Sequence, residues 1–118
     1  MFEAENLRDW IGLSVVDSEG SKVGNLESIY FDTSTDAPAF GSVHIGILGG
    51  AKLVFVPLVG AVVAPKYLKV TFPKKLIKDA PYIATDGELE AGLEPELYSH
   101  YDLPYATGSN GERRLGRK

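Results

Sequence analysis

Two histidines, sixteen aspartates and glutamates, and no cysteine are the residues from which this chain could build a reactive site. His44 lies in the run Ser42-Val43-His44-Ile45-Gly46, with no acid or second histidine beside it. A metal centre or a general base needs such partners, so His44 is expected as a strand histidine on an outer or semi-exposed face. His100 falls in the last turn of a short helical pattern, where a partial positive charge suits the helix dipole. Asp32 and Asp36 flank Thr33-Ser34-Thr35 and suggest a cation loop, but the glycine and the closing glutamate of a calcium loop are not at their places. Gly49-Gly50 lacks the lysine and hydroxyl of a phosphate loop and opens no helix; it reads as a hairpin turn. Trp10, the single tryptophan, is expected to pack under the fold rather than to stack on a ligand. No catalytic, cofactor-binding or metal-ligating residue is expected, and an enzyme is not.

At 118 residues the chain suits one domain, long enough to bury roughly 65% of its unfolded surface. The lack of cysteine rules out disulfides and fits a reducing compartment. No stretch approaches the ~18 apolar residues of a membrane span. Met1-Phe2-Glu3-Ala4-Glu5-Asn6 lacks the basic and apolar regions of a signal peptide. A cytoplasmic location without membrane contact is the expectation. A net charge of −4 disfavours nonspecific nucleic-acid binding. Lys66, Lys69, Lys74, Lys75 and Lys78 form a local cluster, read first as a solvated face.

The elements that must position these side chains are mostly strands. Ile11, Leu13 and Val15 alternate with Gly12 and Ser14, and Asp17-Ser18-Glu19-Gly20 follows as a turn. Beyond it the apolar set Val23, Leu26, Ile29 advances in steps of three. That spacing fits a helix, or a strand whose phase is shifted by a β-bulge; Gly24, Asn25 and the run Ile29-Tyr30-Phe31 favour the bulged strand. Residues 32–38 read as a polar loop. Val43, Ile45 and Ile47 face one way in a third strand. Leu53-Val54-Phe55-Val56 is apolar on both faces, as in a strand buried on both sides or covered by a partner. Pro57 ends it. Tyr67 to Phe72 alternates with Leu68, Val70 and Phe72 inward. Pro73, taken as N1, starts one helical turn that Pro81 stops. Residues 86–101 read as two helical pieces, the first capped by Thr85 or Asp86 and ended by Gly92, the second opened by Pro95 at N1. Asn6 could cap a turn at Leu7.

The order of short motifs resembles the PRC-barrel domain family. Leu13-Ser14-Val15-Val16-Asp17-Ser18-Glu19-Gly20, Lys22-Val23-Gly24 and Ile29-Tyr30-Phe31-Asp32 are similar to its opening. Val54-Phe55-Val56-Pro57-Leu58 resembles its Val-Pro-Leu strand end, and Lys75-Leu76-Ile77-Lys78-Asp79-Ala80-Pro81 its close. The resemblance covers roughly residues 7 to 81 and extends loosely to Tyr101. It implies a mainly β fold, a small six-stranded β-barrel, here with short C-terminal helices. The family includes the cytoplasmic domain of the photosynthetic reaction-centre H subunit, the C-terminal domain of a ribosome maturation factor, and stand-alone bacterial and archaeal proteins, which this chain matches best in length. It offers no catalytic residues to carry over. The expected organisation is a barrel over residues 1–81, a helical extension packed on it over 82–103, and a flexible basic tail over 104–118 that holds four of the twelve basic residues.

Three functions are expected in descending order. The first is a non-enzymatic interaction or assembly module that self-associates as a dimer, because Leu53–Val56 and the apolar Leu58-Val59 and Ala61-Val62-Val63 offer more apolar surface than one small barrel hides; it would also bind a protein partner. The second is an RNA- or ribosome-associated factor, resting on the lysine cluster and the basic tail. The third is a small-ligand-binding protein, which needs a deep polar pocket.

Overall fold

The structure is a computed structural model that describes residues 9–47, 50–85, 87–105 and 114–117. The Asn6 cap, Gly49, the Asp86 cap and tail residues 106–113 and 118 lie outside them. The fold is mainly β, as the resemblance implies, but among the described residues its sheet has eight strands rather than six and is not closed into a barrel. In chain order these are β1 (Ser14–Val16), β2 (Lys22–Asp32), β3 (Pro38–Ile47), β4 (Gly50–Pro57), β5 (Val62–Val63), β6 (Tyr67–Lys69), β7 (Tyr82–Ala84) and β8 (Leu115–Arg117). The hydrogen-bonded order is β5-β6-β1-β2-β3-β4-β7, and β8 also pairs with β2. Among the described residues, β5 and β7 are the two ends of this path. Among the described residues two short α-helices, α1 (Lys74–Lys78) and α2 (Glu94–His100), pack beside the sheet. None of the described helices is long and apolar enough to cross a membrane.

The first hairpin forms as its residues dictate. Gly20 takes a φ of +88°, and its N–H donates to the Asp17 carbonyl at 3.0 Å. The steps of three beyond the turn are bulges in one long strand, not a helix. Against β1 the register slips between Val15 and Val16, leaving Val23 as the extra residue of β2. Against β3 it slips between Leu26 and Ser28, leaving Glu27 extra. Each slip restores the inward phase, so Val23, Leu26, Ile29 and Phe31 are all buried.

Val15, Leu26, Val43, Val54, Val56 and Leu68 are almost inaccessible. Gly41 lies on this side, where an added Cβ would meet Leu26 and Leu58. Leu68 and Val70 point in and Tyr67, Lys69 and Thr71 point out, as the alternation predicts.

The opposite face of the central strands is covered by the chain's own C-terminal segment. Phe40 packs at a tilt against Tyr98 and edge-to-face against Tyr101, with ring centroids 5.1 and 6.3 Å apart. Tyr101 also meets Phe72 at 4.9 Å and donates its hydroxyl to the Phe55 carbonyl at 2.6 Å. This explains the strand with two apolar faces: Leu53, Val54, Phe55 and Val56 are all buried within one chain, so they leave no seam for a partner.

Three local expectations are corrected. Residues 114–117 of the tail are not loose: β8 pairs antiparallel with Tyr30–Asp32. Its anchors, described below, lie far away in sequence. The first of the two C-terminal helical pieces is a single 3₁₀ turn, Ala91–Leu93, which runs through Gly92 and has no side-chain cap. The prolines sit one place from their expected positions: Pro73 is the N-cap of α1, and Pro95 follows Glu94, the first residue of α2.

Candidate functional site

The polar residues singled out in the sequence are scattered, and those the structure ties down hold the fold together. His44 is half-buried on β3, across from Asn25 and Leu53. His100 lies at the end of α2, where its Nε2 is 2.7 Å from the Leu76 carbonyl oxygen. A carbonyl can only accept, so Nε2 carries the proton. Asp32 accepts the Ser34 amide on Oδ1 at 2.8 Å and the Arg114 Nε on Oδ2 at 2.6 Å. That hydrogen bond and the charge of Asp32 raise the Arg114 pKa above its ordinary value. Trp10 is buried, as expected.

Among the described residues three polar side chains are buried: Asp17, Ser42 and Glu94. Asp17 accepts the amides of Glu19 at 2.9 Å and Ser21 at 2.8 Å on Oδ1, and that of Lys74 at 2.9 Å on Oδ2. Burial pushes its pKa up, but these amide bonds and the nearby Lys74 charge outweigh burial and hold the carboxyl below its ordinary value. Ser42 shares a 2.6 Å hydrogen bond with Ser28 across the β2–β3 pair. Glu94 opens α2. Its Oε1 accepts the Tyr105 hydroxyl at 2.9 Å and the Arg114 amide at 2.8 Å, and its Oε2 the Leu115 amide at 3.2 Å. Sequence reasoning missed Glu94, whose partners lie up to 21 residues away. The only local hint is a carboxylate between Leu93 and Leu97 at the start of an apolar helix face. Burial raises the Tyr98 hydroxyl to about 12 and the Tyr101 hydroxyl further still.

The surface is more informative. Val59 and Val62 are about 60% exposed, and Val63 and Tyr67 about 40%. All four lie on or beside β5 and β6, one end of the sheet. Val62 stands opposite Lys69 in the β5–β6 register, and Lys66 lies in the link between these strands, also exposed. Lys75 and Lys78 of α1 are exposed too, whereas Lys74 is half-buried beside Asp17. At the other end of the sheet Tyr82 is 58% exposed, with the Lys52 ammonium 4.4 Å from its ring centroid. Beside it a wide-mouthed cleft of about 710 Å³ runs between β7 and α2.

A family model, described as the PRC-barrel domain, matches residues 2–77. Among curated proteins none matches the chain.

Proposed function

The chain belongs to the PRC-barrel domain family, and on that footing we propose that it is a non-enzymatic interaction module that binds copies of itself. The carrying observation is the exposed apolar end of the sheet formed by Val59, Val62, Val63 and Tyr67. Large apolar side chains gathered at one place mark an interaction surface. Two further features support the reading. The buried carboxylates Asp17 and Glu94 accept hydrogen bonds from the chain's own backbone, and a contiguous set of apolar side chains is buried against the sheet. Of the apolar stretch expected to associate, Leu53–Val56 and Leu58 are covered in cis, which leaves Val59, Val62 and Val63 at the β5–β6 end for association.

Size-exclusion chromatography with light scattering on the full-length chain tests this. The wild type is expected above monomer mass from micromolar concentration upward, and Val62→Glu is expected to return it to monomer without loss of fold, because Val62 is exposed. A wild type that stays monomeric throughout contradicts the proposal.

A further inference from the structure

We propose that the copies join head to tail, the basic, apolar β5–β6 hairpin of one seating in the acidic cleft between β7 and α2 of the next. This rests on the self-association proposed above and goes on to specify its geometry.

The two surfaces are different and complementary. The β5–β6 end carries Val62 and Tyr67 together with Lys66 and Lys69, all exposed. The cleft at the other end of the sheet is lined by the apolar Pro81, Tyr82, Leu93 and Pro95, by His100 and by the exposed carboxylates of Asp79 and Glu96, with the Lys52 ammonium on the Tyr82 ring beside it.

Charge selects the pairing. A two-fold contact of β5–β6 with itself would bring Lys66 and Lys69 near their own copies. A two-fold contact of the cleft with itself would do the same for Asp79 and Glu96. Both arrangements set like charges together, which costs affinity. Only the unlike contact puts ammonium groups against carboxylates and apolar residues against apolar ones. The backbone adds little, since β5 has two residues and β7 three, lengths at which an edge strand resists pairing. Side chains must therefore carry the contact. A contact between unlike patches leaves a free patch of each kind at the ends of every complex, so assembly continues into a ring or a filament instead of stopping at two.

The test uses two variants of the full chain, each altered only at exposed residues and each checked for native fold by circular dichroism. Lys66→Glu with Lys69→Glu spoils the hairpin and keeps the cleft. Asp79→Lys with Glu96→Lys spoils the cleft and keeps the hairpin. Sedimentation velocity is expected to show the wild type growing beyond the dimer with concentration. Each variant alone should associate about tenfold or more weakly. Mixed, the two should associate again and grow beyond a one-to-one complex, because the reversed hairpin of one variant is opposite in charge to the reversed cleft of the other. A wild type that associates while the cleft variant associates equally well overturns the head-to-tail geometry and leaves self-association standing. A wild type that is monomeric at every concentration overturns both. A monomeric wild type whose cleft takes up a synthetic peptide of residues 62–69 also overturns the proposal, and gives the cleft to a different basic partner.

Discussion

Asp17 joins the first hairpin to α1 with one carboxylate: Oδ1 closes the turn and Oδ2 receives the Lys74 amide. Its role in the turn was legible, because aspartate at the first position of such a turn bonds to its own backbone. Its bond to Lys74, 57 residues on, was not, since no local pattern specifies it. Its pKa is lowered on folding, so its contribution to stability is present at neutral pH. That contribution holds down to the unfolded value of about 4 and is lost as pH falls on through the folded one. Asp17→Asn is expected to lower stability at pH 7 and to flatten the acid limb of a stability-against-pH curve measured by urea denaturation. An unchanged acid limb would mean that the charged form is not what the amides hold. Tyr101 is the corresponding anchor at the other end of the chain. Tyr101→Phe keeps the ring contacts with Phe40 and Phe72 but leaves the buried Phe55 carbonyl without its donor, at an expected cost of about 1–2 kcal/mol in the same assay.

Among the elements, those whose cues are local were readable and those made by distant partners were not. The bulged strand β2 could be inferred because Gly24, Asn25 and the run Ile29-Tyr30-Phe31 argue against a helix whatever surrounds them. Gly24 turns out to be more than a weak helix former: a Cβ there would collide with the His44 carbonyl oxygen and the Val43 side chain. Gly24→Ala is expected to destabilise by about 2–3 kcal/mol, read as a lower urea midpoint at unchanged slope. The strand β8 carries no comparable signal. Leu115-Gly116-Arg117 is short, polar and Gly-containing, and composition alone places it in a loose tail. It becomes a strand because Glu94 receives the Arg114 and Leu115 amides, Asp32 receives the Arg114 side chain, and the Thr33 amide donates to the Arg114 carbonyl at 2.8 Å. Glu94→Ala takes the carboxylate from the buried Leu115 amide and the half-buried Arg114 amide and is expected to cost about 3 kcal/mol. Hydrogen exchange should show protection at 114–117 lost first. Full protection there in Glu94→Ala would contradict the anchoring role of Glu94.

For the whole molecule, the order of motifs gave the family and the mainly β class, but the surface that matters could not be ranked from sequence. Leu53–Val56 and Val59–Val63 look equally apolar as strings. What separates them is the C-terminal segment, which folds back through Tyr98 and Tyr101 over the first and leaves the second exposed. The most direct test of this account is hydrogen exchange by mass spectrometry on the full-length chain over a concentration series. Protection is expected to rise with concentration around residues 59–67 and to stay constant at 53–56, which the chain already buries. Rising protection at 53–56, or no concentration dependence anywhere, would contradict the account.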